Sequence, residues 1–356
     1  MVVLISTLLT STGRWINAMH EPQPVNVLSY GLGPIGLEIA KKCLQSPDVN
    51  VIGAVDIDPQ KAGRDLGLLT STEKTGISVV SSLEEFVKKQ DGPTGGIAIH
   101  ATGSDLKRVW PQIKGLLDCG FSVVSTCEEL SYPWDRYPSL AKEIHTYAKD
   151  KHLTVLGTGV NPGFVMDTLA LCLSAVIGDI TAIQISRRVD VSKRRLPLQK
   201  KVGVGLEIDT FNQLAAEQKI GHVGLEESVR LIAYGLNLQL RNVKNSLEPT
   251  LSEQDDHKVA GLHQTSTGQT AEGITIALDL VMATGIDQVD EIVIHGDETR
   301  KLVVPGGIYG DTATAAIAIN CSKLLHATPV RGLKTMADIG LPRNVQLVKE
   351  PYHGEN

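Results

Sequence analysis

One short stretch constrains the chain more than any other. Val25-Asn26-Val27-Leu28-Ser29-Tyr30 is a run of apolar and β-prone residues, and Gly31-Leu32-Gly33-Pro34-Ile35-Gly36 follows it at once. Leu37, Ile39, Ala40, Cys43 and Leu44 then recur at helical spacing. Glycines set between a strand and a helix in this way suit a phosphate cradle. One makes the tight turn, the next lets the backbone approach a pyrophosphate, and the third lets helix and strand pack closely. The free N–H groups that open the helix then meet the phosphate charge. Val51-Ile52-Gly53-Ala54-Val55 predicts a second strand ending at Asp56, 20 residues beyond Gly36, where an acid grips a ribose diol. Gly31, Leu32, Gly33, Pro34, Ile35, Gly36 and Asp56 are therefore read as a dinucleotide site. The Asp56 carboxylate favours NAD and repels a 2′-phosphate. Lys61 and Arg64 lie close enough in sequence to meet such a phosphate, so NADP stays open.

The α/β alternation continues. Ile77–Val80 predicts a strand, and Ser82 caps a helix with Glu84 and Glu85 in its first turn. Gly96–His100 predicts a strand that ends at Ala101-Thr102-Gly103-Ser104, with His100 read as a strand-end residue. Phe121–Thr126 delivers Cys127-Glu128-Glu129, and Leu153–Leu156 leads into the turn-rich Gly157–Phe164. Five strand ends are thus expected to converge on one crevice of a doubly wound parallel sheet. Beyond residue 160 the pattern changes. Ile180–Val191 alternates with Ile183, Ile185, Arg187 and Val189 on one face, and Ile274–Met282 and Glu291–His295 also read as strands. Helical patterns cover Glu207–Ala216 and Glu226–Leu236. This predicts an α+β domain with a largely antiparallel sheet. Thr312–Leu325 predicts a helix capped by Asp311 that returns to the first domain. The expected division is an extension over 1–24, a Rossmann domain over 25–160 completed by 311–356, and a substrate and dimerisation domain over 161–310.

Composition excludes several classes. The chain has 356 residues, a net charge of −6 and no long Lys/Arg block, which argues against a nucleic-acid partner. The basic cluster Lys193, Arg194, Arg195, Lys200 and Lys201 is read as a solvated loop. No run of about 18 apolar residues exists to span a membrane. Five cysteines, an odd count without a CxxC pair, predict neither a disulfide framework nor a metal site, and fit a reducing, cytoplasmic setting. Residues 1–20 lack acids, so a transit segment is the alternative to a plain extension ahead of Met19.

Several segments together carry a resemblance: Ser125-Thr126-Cys127-Glu128-Glu129-Leu130-Ser131-Tyr132-Pro133, Gly157-Thr158-Gly159-Val160-Asn161-Pro162-Gly163-Phe164, Gly221-His222-Val223-Gly224-Leu225 and Gly310-Asp311-Thr312-Ala313-Thr314-Ala315-Ala316. With the glycine loop they resemble the native amine dehydrogenase and 2,4-diaminopentanoate dehydrogenase family, itself similar in fold to dihydrodipicolinate reductase. The His-His pair and following Lys of that reductase are absent. The resemblance implies reversible oxidative deamination of an amine to a carbonyl compound and ammonia. It places a catalytic glutamate in the cleft, here Glu128 as first choice and Glu129 as second. It also suggests Asn161 for the nicotinamide carboxamide, Thr102 along the cofactor, and Phe164, His222 and Thr312 around a small aliphatic amine. Arg187 or Arg188 would serve a diamino acid's carboxylate. A nucleotide-sensing protein without catalysis is the third reading.

Overall fold

Strands that lie deep between helices need apolar side chains on both faces, and four short segments of the first half meet that demand. The computed structural model describes residues 23–90, 95–192, 194–252 and 258–344; residues 1–22 of the expected N-terminal extension and Lys193 lie outside them. The strands are β1 (Val25–Tyr30), β2 (Val49–Val55), β3 (Val79–Val80), β4 (Gly96–His100), β5 (Phe121–Ser125), β6 (Thr154–Gly157), β7 (Ala182–Asp190), β8 (Leu240–Leu251), β9 (Val259–Thr270), β10 (Thr275–Ala283), β11 (Val289–His295), β12 (Arg300–Pro305) and β13 (Gly332–Lys334). Burial is nearly continuous along β1, β4, β5 and β6.

The first sheet runs β13-β6-β5-β4-β1-β2-β3 with every neighbouring pair parallel. The strand order reverses between β1 and β4, which opens a crevice at their carboxyl ends. Helix Pro34–Leu44 covers one face together with Gly310–Ala327, Ile39, Ala40 and Cys43 sharing a core with Ala315, Ala318 and Ile319. Helices Leu106–Asp118 and Pro138–Asp150 cover the other face through Ile113, Leu116, Ala141 and Ile144. The last helix therefore returns to the first sheet as expected. Its Lys323 Nζ lies 3.0 Å from Asp48 Oδ2, both side chains buried. Its cap differs from the expectation: Tyr309 is the N-cap, and Asp311 sits in the first turn, where Arg194 and Arg195 take its carboxylate.

The second sheet runs β12-β11-β7-β10-β9-β8, with β7 and β10 its one parallel pair. Ile183, Ile185, Arg187 and Val189 share its buried face, with Ile276, Leu278 and Leu280 of β10 and helix Leu225–Gly235 packed against it. Strands β8, β9 and β12 were not legible. β8 reads Leu-Arg-Asn-Val-Lys-Asn-Ser-Leu, and the middle of β9 is a polar run, so no clean alternation announces either. No helix among the described residues is long and apolar enough to cross a membrane.

Beyond β5 the chain enters a single 3₁₀ turn, Glu128–Leu130, which turns the two adjacent glutamates apart. Glu129 is buried. It accepts a hydrogen bond from the Leu106 N–H (2.8 Å) and another from the Tyr137 hydroxyl (2.8 Å), with Arg136 Nη1 at 3.5 Å. These bonds tie the turn to the start of one helix and to the residue before another. Glu129→Ala should therefore lower the unfolding free energy by about 1–3 kcal/mol in urea titration, because it strands buried donors. Glu128→Ala, which removes a partly exposed side chain, should stay within about 0.5 kcal/mol of the parent.

Candidate active site

The crevice begins at the glycine loop. A Cβ on Gly36 would lie 1.9 Å from the Gly31 carbonyl oxygen, so only glycine lets the helix start this close to β1. Gly31 has φ +88° and faces Ala101 and Thr102 of the loop after β4. Above Gly33, by contrast, a Cβ would meet nothing within 4 Å. The loop is thus tight beneath and open above, the shape that a pyrophosphate needs. At the end of β2, Asp56 accepts hydrogen bonds from the Leu32 N–H (2.5 Å) and the Asp58 N–H (2.8 Å). Lys61 Nζ stands 3.5 Å from Asp56 and 3.1 Å from Asp58.

A cleft of about 390 Å³ opens from this loop toward the second sheet. Loops after β1, β4, β5 and β6 line it; Asp56 does not, which leaves β2 to the side where an adenosine would lie. Thr102 lies on the lining, its hydroxyl 2.6 Å from Gln112 Oε1 and 2.8 Å from His100 Nε2. His100 is fully buried against Ser125 Oγ (2.9 Å), and burial pushes its imidazole down to about 4, so it serves as a neutral prop. Asn161 precedes a cis peptide to Pro162, and its Oδ1 is buried without a partner. Gly224 closes on the same place: a Cβ there would lie 2.3 Å from Pro162 Cδ and 3.4 Å from Glu128 Cβ.

Glu128 lines the cleft with Lys201 Nζ 4.0 Å from its Oε1, while Glu129 points away into the packing described above. His222 also lines the cleft, with Nδ1 buried and unpartnered. Burial, then the Lys201 and Arg187 cations, push its imidazole down to about 3. Two expected lining residues are elsewhere. Phe164 follows Gly163, whose φ of +121° turns the chain, and packs into the core under the second sheet. Thr312 is exposed; Thr314, two residues and about 200° further round the helix, faces the cleft instead.

Of the basic cluster, Arg194, Arg195 and Lys201 are not a solvated loop, whereas Lys200 is exposed. Arg194 is buried, stacks 4.1 Å from the Tyr309 ring and donates to Asp311 Oδ1 at 3.1 Å. Arg195 and Lys201 join it on the cleft wall, as does Arg187, whose guanidinium donates to the Ile308 carbonyl (2.7 Å) and to Asp290 (3.4 Å). Arg188 points outward and is exposed. Charges at positions 194, 195 and 201 were visible in sequence, but a segment without apolar periodicity carries no signal for the direction it faces.

Comparison with known proteins places this arrangement. Residues 164–350, more than half of the chain, match the sequence profile of the 2,4-diaminopentanoate dehydrogenase C-terminal domain. The 2,4-diaminopentanoate dehydrogenase of Acetoanaerobium sticklandii is 28% identical over 351 residues, covering 91% of this chain and 95% of that protein. A 4-hydroxy-tetrahydrodipicolinate reductase of Trichormus variabilis is 32% identical over 85 residues, 22% of this chain and 31% of that one. Among solved structures, the amine dehydrogenase of Mycobacterium smegmatis shares the fold with a TM-score of 0.78 at 22% identity, covering 91% of this chain and 98% of that one. The gentamicin A biosynthesis protein GenD2, solved in complex with NAD, gives 0.51 at 16% identity over 82% of this chain and 75% of that one. The parallel sheet with its glycine loop, the second mixed sheet and the matched profile lead to one conclusion: the chain belongs to the 2,4-diaminopentanoate dehydrogenase family of nicotinamide-dependent oxidoreductases.

Proposed function

We propose that this protein is an NAD(P)-dependent amine dehydrogenase that interconverts an amine with a carbonyl compound and ammonia, with Glu128 as its acid–base. One observation carries the role of Glu128. Of the two carboxylates that described residues place on the cleft wall, Asp311 is engaged by Arg194 and Arg195, and Glu128 faces the cleft with Lys201 beside it.

The glycine loop Gly31–Gly36 with Asp56 would hold the dinucleotide, Thr102 would lie along it, and the unpartnered Oδ1 of Asn161 would accept from the carboxamide N–H. The nicotinamide, when bound, supplies hydride acceptance from the carbon that bears nitrogen. Glu128 first takes a proton from the substrate ammonium, which frees the nitrogen lone pair needed to expel that hydride. It releases that proton to bulk water, then takes a proton from the water that adds to the iminium carbon, and returns it to nitrogen so that ammonia can depart. Such acid–base help is worth about 10²–10⁴ in rate.

The arginines bear on the substrate. The Nε atoms of Arg194 and Arg195 are buried without a hydrogen-bond partner among the described residues, that of Arg195 lying 3.7 Å from Asp311 Oδ2. A wall of this charge suits an amine that also carries a carboxylate, the diamino-acid reading, better than a plain alkylamine. Glu128→Gln should lower kcat by about 10²–10⁴ in both directions while the NADH dissociation constant stays near the parent's. Unchanged turnover would overturn the assignment. In a panel of alkylamines and diamino acids followed by NADH absorbance, diamino acids should give the larger kcat/KM.

For the coenzyme, the reading is NAD over NADP, since Asp56 stands where a 2′-phosphate would lie. A tenfold preference for NADP in kcat/KM, about 1.4 kcal/mol, would promote Lys61 or Arg64 to phosphate ligands. For assembly, the reading is a homodimer. The outward face of the second sheet carries half-buried Val281 and Val293 beside Asp279 and Glu291, with Arg188 exposed. Light scattering at micromolar concentration should return twice the chain mass, and a monomer mass would contradict it.

A further inference from the structure

His222 is held unusually well for a loop residue. Gln264 of β9 grips its backbone from both sides: Oε1 accepts the His222 N–H at 2.9 Å, and Nε2 donates to the His222 carbonyl at 2.9 Å. One residue before it, the Gly221 N–H donates to the Lys201 carbonyl at 3.2 Å. Gly221 and Gly224 both have positive φ, +121° and +111°, so the Gly221–Gly224 turn brings the ring to the cleft wall.

The ring's two nitrogens differ. Nδ1 is enclosed and has no hydrogen-bond partner. Nε2 makes no hydrogen bond to any described residue, and the ring lines the cleft. A proton on Nδ1 would make an orphaned buried donor, which folded proteins avoid; a bare lone pair there is tolerated more readily. The proton therefore belongs on Nε2. A second proton is opposed by burial and by two cations on the same wall, Lys201 at the end of helix Leu196–Lys201 and Arg187 of β7. Glu128, on the turn after β5, lines the same cleft, and Lys201 is its partner.

From this geometry we infer that His222 is a second catalytic residue, a neutral Nε2–H donor that binds the substrate oxygen, and that Gln264 is its positioning residue. This rests on the amine dehydrogenase reading. A donor of this kind cannot bind an ammonium, so nitrogen and oxygen are handled by different groups: Glu128 by nitrogen, His222 by oxygen. Oxygen joins the reacting carbon only after hydride transfer. Water adds to the iminium carbon and gives a proton to Glu128; the C–O bond forms as the C=N π pair returns to nitrogen. Glu128 passes that proton to nitrogen. The C–N bond then breaks with its pair going to nitrogen, the hydroxyl proton returns to Glu128, and ammonia leaves with it as ammonium. Throughout, the His222 N–H donates to the oxygen without losing its proton, and steadies the charge that gathers there as the carbonyl forms. In the reverse direction the same bond polarises the incoming carbonyl group.

The division predicts a split between steps. In His222→Leu, first-turnover NADH formation from an amine, followed by stopped flow, should stay within about twofold of the parent. Steady-state deamination and reductive amination should both fall by about 10²-fold, the usual cost of one oxyanion donor. His222→Gln, whose amide nitrogen lies near the Nε2 position, should recover most turnover; His222→Asn, which mimics Nδ1, should not. Gln264→Met should show the same split in weaker form. If first-turnover hydride transfer falls together with steady-state turnover, or if Asn rescues and Gln does not, the inference is overturned. A measurement free of turnover complements this. In ¹⁵N-histidine-labelled full-length protein, the signal lost in His222→Gln should show the neutral Nε2–H tautomer from pH 6 to 9. An Nδ1–H or cationic ring would overturn the assignment. A parent enzyme that oxidises no amine would bring down the amine dehydrogenase reading instead, while the tautomer result would still decide the state of His222.

Discussion

The cleft depends on one buried carboxylate. Asp167 has no solvent exposure and no ion-pair partner among the described residues. Its Oδ2 accepts from the Gly163 N–H (2.7 Å) and the Ser228 hydroxyl (2.7 Å), and Oδ1 accepts from the Thr168 N–H (2.5 Å). Burial raises its pKa and these hydrogen bonds oppose the rise. Burying a charge this way is costly unless it is fully hydrogen-bonded, so the arrangement tolerates little displacement. The bond to Gly163 holds the loop that presents Asn161, and the bond to Ser228 holds helix Leu225–Gly235, at whose start Gly224 meets Pro162. The two sheets therefore meet at a fixed separation, and Glu128, Asn161 and His222 inherit it.

Around that joint, charges are paired across elements. Arg136 of the first domain reaches Glu227 of the helix at 3.0 Å, and Arg230 of the helix reaches Asp135 at 2.8 Å. On the opposite wall Arg194 joins the segment before helix Leu196–Lys201 to the start of the last helix through Asp311 and Tyr309. Arg187 and Asp290 face each other directly in the register of β7 and β11. Each guanidinium on the wall is thus engaged at one end, which fixes its position while leaving some donors facing inward.

How much of this was legible in sequence follows from what kind of force set each part. The glycine loop, the capped helix after Ser82, the inward set Ile183, Ile185, Arg187 and Val189 and the return of the last helix all rest on local patterns, and the structure has them. Strands β8 and β12 are held by their neighbours' ladders more than by their own apolar content, and left no trace. At the site, the sequence ranks Glu128 ahead of Glu129 without showing how they diverge; it is a 3₁₀ turn that separates them. Thr312 stood in for Thr314 because the last helix is apolar nearly all round, so its composition did not tell which face met the cleft. The role of Gln264 had no local signal, since its partner lies 42 residues away.

The last helix and β13 carry a consequence for how the chain is made. Ala315, Ala318, Ile319 and Leu324 complete the same core as Val25, Val27 and Ile39, and β13 adds the final strand beside β6. On a ribosome, the glycine loop emerges long before those residues. The nascent first half must wait, with the apolar side of helix Pro34–Leu44 uncovered, until those residues have been released. The buried Lys323–Asp48 pair closes that interval across 275 positions of sequence. Joining partners so remote is slow and leaves sticky surface open meanwhile. Such a protein is assembled last around its glycine loop.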